Sequence, residues 1–237
     1  MLKISNLTKT YGEKKAVDNL SLSIKKGEIC AFIGHNGAGK TTTIKAVCGI
    51  LRPDCGEILI DGMDIAKEPL ECKKKLAYIP DNPDLYEFMS GMQYLSFVAD
   101  IFGISETARK ERIEKYAEIF ALSDVLSDLI SSYSHGMKQK LAVMAALIHE
   151  PDLIIMDEPF VGLDPKASHL LKQIMREKCE AGAAILFSTH VLEVAEKLCD
   201  KVAIIKDGAL VKYGSMDEVK GDASLEAVFL ELEGEND

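Results

Sequence analysis

The chain has 237 residues, 47% apolar and 28% charged, a composition suited to one large folded α/β domain rather than to disorder. Its 28 basic and 38 acidic side chains give a net charge of −10, which argues against a broad nucleic-acid surface. No apolar run reaches the length of about 18 residues that spans a membrane, and the start, Met1 to Asn6, lacks the apolar segment of a signal peptide, so a cytoplasmic chain is expected.

In chain order, residues up to about 30 alternate apolar and polar, as in Leu20-Ser21-Leu22-Ser23-Ile24, the period of half-buried antiparallel strand. Ile29 to Ile33 reads as a buried strand entering a Gly-rich turn, and Lys40 to Ile50 as a helix. Gly56 to Gly62 reads as a further strand closed by an Asp-Gly turn. From about 83 to 149 the pattern is helical, with Ile113, Tyr116, Ala117 and Phe120 at helical spacing. Strand and helix signals then alternate: Leu153 to Met156, Pro165 to Cys179, Ala184 to Phe187, Val191 to Leu198 and Val202 to Ile205. That alternation predicts a mainly parallel sheet, hence one α/β core with an inserted helical subdomain over about 83–149. Residues 222–237 carry six acids and no base, and Leu225, Val228, Phe229 and Leu232 predict one docked helix followed by a solvated end. The six cysteines, at 30, 48, 55, 72, 179 and 199, form no C-x-x-C pair and read as buried free thiols.

The strongest chemical signal is Gly34-His35-Asn36-Gly37-Ala38-Gly39-Lys40-Thr41, which fits G-x-x-x-x-G-K-[ST] between a strand and a helix. Glycines let backbone N–H groups wrap phosphate oxygens, and the following helix start, including Thr42, favours anions. Lys40 supplies a mobile cation for the β/γ oxygens, and the Thr41 hydroxyl suits Mg²⁺. A second acidic site ends the run Leu153-Ile154-Ile155-Met156-Asp157-Glu158. There Asp157 suits the metal shell, and Glu158 a base acting on the attacking water.

In this company the sequence resembles the nucleotide-binding subunit of ABC (ATP-binding cassette) transporters over nearly its whole length. The resemblance implies a P-loop NTPase core with an N-terminal antiparallel β subdomain, residues 1–237 forming one ATP-binding domain. It implies ATP and Mg²⁺ as cofactors. Tyr11 matches the aromatic on which adenine stacks, and residues 34–41 match the phosphate loop. Asp81 lies where the family usually has Gln, beside the metal and the attacking water. Tyr133 to Gln139 matches the signature segment, with Ser134 and Gly136 fitting the usual L-S-G-G-Q and Tyr133, His135 and Met137 departing from it. Asp157 and Glu158 match the metal-binding acid and the catalytic base, Val161 to Asp164 the loop crossing the dimer interface, and His190 the switch histidine.

Ser134 is a good N-cap for a helix over about 136–149, giving the chain a second anion-favouring helix start. The resemblance implies that the two helix starts meet across a homodimer or a pseudo-symmetric heterodimer, each ATP lying between one phosphate loop and the other chain's signature. At His135 two readings stay open: a ring facing the partner-bound γ-phosphate as imidazolium, or a ring turned away.

Met92, Tyr94, Leu95, Phe97, Val98, Ile101 and Phe102 cover most of a helix circumference, so burial nearly all round is expected. The burial is either within the helical lobe or, on one face with Pro83 to Tyr86, against a segment of a membrane subunit. The reading is thus an ATPase subunit of a transporter, exporting rather than importing, peripheral on the inner face of the cell membrane through a multi-span permease. A soluble ABC ATPase acting in assembly or regulation is the alternative. The chromosome-maintenance class lacks room here for its long coiled coil, and no Asn-Lys-x-Asp motif points to guanine.

Overall fold

The computed structural model describes residues 1–234. The expected solvated end at 235–237 lies outside the described residues.

Two sheets form the frame. The first is antiparallel, in the order β2-β1-β4-β5, from β1 (Leu2–Tyr11), β2 (Lys14–Ile24), β4 (Cys55–Ile60) and β5 (Met63–Asp64). The second has the order β10-β9-β3-β8-β7-β6. In it β3 (Ile29–Ile33), β6 (Leu76–Ile79), β7 (Leu153–Met156), β8 (Ala184–Thr189) and β9 (Lys201–Lys206) run parallel, and β10 (Ala209–Ser215) is an antiparallel edge. The α/β class, the mainly parallel sheet and the antiparallel N-terminal sheet are as the sequence predicts.

Side-chain parity along the central strands separates two cores. Ile29, Ala31 and Ile33 of β3, with Ile154 and Met156 of β7 and Ile185 and Phe187 of β8, face the helical side. Their alternates Cys30, Phe32, Leu153, Ile155, Ala184 and Leu186 face the antiparallel sheet and α1 (Lys40–Val47). Strands buried on both faces read as continuous apolar runs, as β3 and β7 do, while β8 is apolar up to Phe187 and ends in the buried Ser188 and Thr189.

Several sequence readings shift. The helix after the phosphate loop stops at Val47, where Gly49 turns the chain with φ +64°. Between β5 and β6 the chain forms α2 (Pro69–Lys75), unread in the sequence. Strands β6 and β10 were also missed. From 83 to 149 lie α3 (Gly91–Ile101), α4 (Glu106–Ile119), two short 3₁₀ turns and α5 (His135–Leu147). After β7 come α6 (Pro165–Glu180), α7 (Leu192–Leu198), α8 (Met216–Lys220) and α9 (Leu225–Gly234). The last docks through Leu225 and Val228, as expected. Five cysteines are buried, but Cys55 is exposed at the start of β4. Helix α3 is not buried all round within the helical lobe: it buries Leu95 and Ala99 but leaves Met92, Phe97 and Ile101 exposed, because α4 and α5 cover one side only.

Candidate functional site

The carboxyl ends of β3 and β7 open onto one cleft of about 370 Å³, the place where parallel α/β sheets hold their ligands. Its lining includes Tyr11 from the end of β1, Asn36, Gly37 and Gly39 of the loop after β3, and Lys40, Thr41 and Thr42 of α1. Asp81 after β6, Asp157 and Glu158 after β7, and Lys14 and Ala16 of β2 complete it.

The loop after β3 is held by its own backbone. Gly39 takes φ +107°, and a β-carbon there would collide with the Ala16 carbonyl, so glycine is required. It caps α1 without a side-chain hydrogen bond, leaving the first-turn amides to face the cleft. The buried Lys40 donates from Nζ to the carbonyls of Gly34 at 2.6 Å and His35 at 3.2 Å, with Glu158 Oε1 4.0 Å away. Gly34, His35 and Ala38 support this loop from behind and do not line the cleft. The His35 ring meets the Asn36 carbonyl at 2.8 Å and Asp207 at 3.6 Å.

Opposite lies a hydroxyl–carboxylate relay. Thr41 Oγ1 donates to Asp157 Oδ2 at 2.7 Å, and Ser188 Oγ donates to Asp157 Oδ1 at 2.5 Å. Ser188 Oγ also accepts the Glu158 amide at 2.9 Å. Glu158 sits in the left-handed region with φ +47°, unusual for its type. The His190 Nδ1 lies 2.9 Å from its Oε2. The carboxylates of Asp81, Asp157 and Glu158, the Thr41 hydroxyl and the Lys40 cation therefore line one cavity, with the His190 imidazole bonded to Glu158. That set suits phosphate binding and proton abstraction from water. The hard oxygens of Thr41 and Asp157 fit Mg²⁺, which takes few protein ligands.

Ser134, His135, Gly136 and Asp164 lie outside this cleft. Ser134 caps α5, its Oγ accepting the Met137 amide at 3.3 Å. Asp164 caps α6, accepting the Ala167 amide at 2.8 Å and the Lys140 ammonium at 2.9 Å. These donors hold its carboxyl below the usual range, the Ala167 amide foremost. Ser188 was not singled out from the sequence, although it stands two residues before His190. Lys9 and Asp54 were missed too. Asp54 accepts the Lys9 ammonium and the Thr10 amide, and the Lys9 Nζ lies 5.6 Å from the centre of the Tyr11 ring.

Residues 17–161 match the family model described as ABC transporter. The chain is 35% identical over 241 residues to the ABC-type transporter ATP-binding protein EcsA of Bacillus subtilis, covering all of this chain and 98% of that protein. It is 35% identical over 219 residues to the linearmycin resistance ATP-binding protein LnrL of the same organism, covering 92% of this chain and 70% of that one. A solved ATP-binding subunit of an ABC transporter superposes with a TM-score of 0.95 at 37% identity, over 98% of this chain and 99% of that one.

Proposed function

Because the chain belongs to the ABC transporter family, as an ATP-binding and ATP-hydrolysing subunit, we propose that it dimerises around two ATP molecules and drives substrate movement through separate membrane-spanning subunits. The observation that carries the reading is the single cleft joining Tyr11, the Lys40 loop, Asp157 and Glu158. Tyr11 stacks the adenine. Lys40 and the amides from Gly37 to Thr42 receive the phosphates. Thr41 and Asp157 hold Mg²⁺, which when bound neutralises phosphate charge; Asp81 stands at the edge of that site. Glu158 accepts the proton of the attacking water, and His190 holds its carboxylate. Ser134, His135 and Gly136 present the start of α5 to the ATP of a second cassette, copy or paralogue, and the loop reaching Asp164 crosses between them.

Export is the direction we favour, supported by a relative named for resistance to linearmycin. The permease contact is the exposed aromatic face of the helical region. Tyr86 packs on Phe88, Tyr94 and Phe97, all at 5.8–6.1 Å between ring centres, and Phe88 is 76% exposed. No helix among the described residues is long and apolar enough to cross a membrane, so attachment to the inner face rests on that contact.

Two measurements test this. Glu158→Gln should retain ATP binding, lose most hydrolysis, and elute as a dimer from gel filtration with ATP and Mg²⁺, whereas Lys40→Ala should fail to bind. Wild-type turnover in Glu158→Gln sinks the base assignment. Phe97→Asp should leave isolated ATPase intact and abolish co-purification with a multi-span membrane protein. Retention of that partner moves the contact elsewhere, and absence of any membrane partner in the wild type favours the assembly or regulatory reading.

A further inference from the structure

Helix α5 grips the loop leaving Glu158 at three points within one chain. A β-carbon on Gly162 would fall 2.6 Å from His135 Cδ2 and 2.8 Å from Nε2, so the imidazole rests directly on this glycine. Gly162 has φ +78°, a conformation that disfavours any side chain and lets the ring close over the backbone. A β-carbon on Gly136 would lie 3.0 Å from the Gly162 carbonyl oxygen, so the helix backbone abuts the same residue from beside the ring. One turn on, Lys140 binds Asp164 at 2.9 Å. Residues 136 and 140 share a helix face by their spacing, and His135 stands at the first position of the helix beside them.

The gripped loop is short and strained at its start. Glu158 holds φ +47°; the Val161 amide donates to the Glu158 carbonyl at 3.1 Å and the Leu163 amide to the Phe160 carbonyl at 3.4 Å. A left-handed non-glycine residue persists only where its surroundings fix it. The entry is fixed by Ser188 on the Glu158 amide and the exit by Asp164 capping α6. Between these anchors Val161 and Gly162 are exposed, and the ring covering Gly162 is that of His135.

We propose that His135 is a positioning residue for Glu158, acting by shape: its flat ring, seated on Gly162, keeps the 158–164 loop ordered against the start of α5. The ring is thereby committed to a neighbour in its own chain, and its charge is not what the site uses. The inference rests on the reading of Glu158 as the base only in its kinetic half.

The test uses the full chain with His135→Ala and His135→Phe. In His135→Ala the kcat for ATP should fall about 5- to 10-fold with KM within twofold of wild type. His135→Phe, flat but unable to carry a proton, should restore kcat to within twofold, at pH 6 and at pH 8 alike. Hydrogen exchange at Val161 and Leu163 should quicken at least 10-fold in His135→Ala and return towards wild type in His135→Phe. An unchanged kcat and exchange rate in His135→Ala overturns the proposal, as does a Phe variant that rescues neither. A rise in KM alone, or a loss restored only by basic side chains, assigns His135 to a phosphate contact instead and also overturns it. Should Glu158→Gln retain turnover, the exchange rates still report the loop, so the two failures separate. His135 is exposed, so the substitutions leave the core intact, and thermal melting of each variant verifies this.

Discussion

A single aromatic ring at the mouth of the cleft sets how the base is met. Tyr11 is 52% exposed, and its position comes from the end of β1, where Asp54 ties down the Lys9 ammonium and the Thr10 amide. Stacking of a base on an aromatic ring is worth roughly 1–3 kcal/mol. Tyr11→Ala should therefore weaken ATP binding about 5- to 150-fold by calorimetry, with Tyr11→Phe near wild type; equal affinity in the Ala variant returns the residue to packing. At this scale the sequence was most legible where chemistry sits in contiguous strings, as in residues 34–41 and 157–158. It was silent on Ser188, whose bonds to Asp157 and Glu158 span 30 or more residues. The orientation of the His135 ring was undecidable for the same reason: it depends on where Gly162 comes to rest.

Among the elements, α3 shows that an apolar pattern alone left two environments open and that the fold decides between them. Its apolar residues do circle the helix, but α4 and α5 supply only one wall, so Met92, Phe97 and Ile101 are left outside. Composition reports what a surface is, not whether a neighbour in the same chain covers it. Strand β6 escaped notice because it follows Lys73–Lys75 of α2 with no turn residue between them, and β10 because its residues are only partly buried. Just past the end of α5, His149 stacks on Phe102 at 3.8 Å with an interplanar angle of 9°, and its Nε2 meets the Leu76 carbonyl at 3.2 Å. Burial pushes this imidazole down to about 4, with Arg112 and Lys178 adding to the effect against the Leu76 bond. The unfolded ring titrates near 6.5, so below that pH the unfolded chain binds a proton the folded chain refuses. The associated stability is complete above about 6.5 and is lost as pH falls towards 4, at up to about 1.4 kcal/mol per unit. Urea unfolding between pH 7 and 5.5 should show about 1 kcal/mol more loss in wild type than in His149→Phe. Equal losses would mean the ring is protonated in the fold.

Across the whole molecule, one sheet serves two cores. Alternate residues of β3, β7, β8 and β9 feed opposite sides, so neither core can be assembled without the other. The active cleft spans the same division, since Thr41 rises from α1 on one side while Asp157 ends a strand belonging to both. The mainly parallel sheet was legible beforehand, because apolar strands alternating with helices have few other packings, but the division of its residues between two cores was not.

The parity of β7 also constrains how this chain can change over generations. Replacing one apolar residue by another along Leu153–Met156 alters fit on one side only. Inserting a single residue after Ile154 exchanges the two sets beyond it, sending Ile155 to the helical side and Met156 to the opposite one. It also turns Asp157 away from Thr41 and Ser188. An alanine inserted after Ile154 should thus abolish ATPase activity and soluble expression together, whereas Ile154→Val should retain both; an inserted variant that stays folded and active would show that the strand can slip. The lineage of this protein is free to drift in spelling along β7 but not in length.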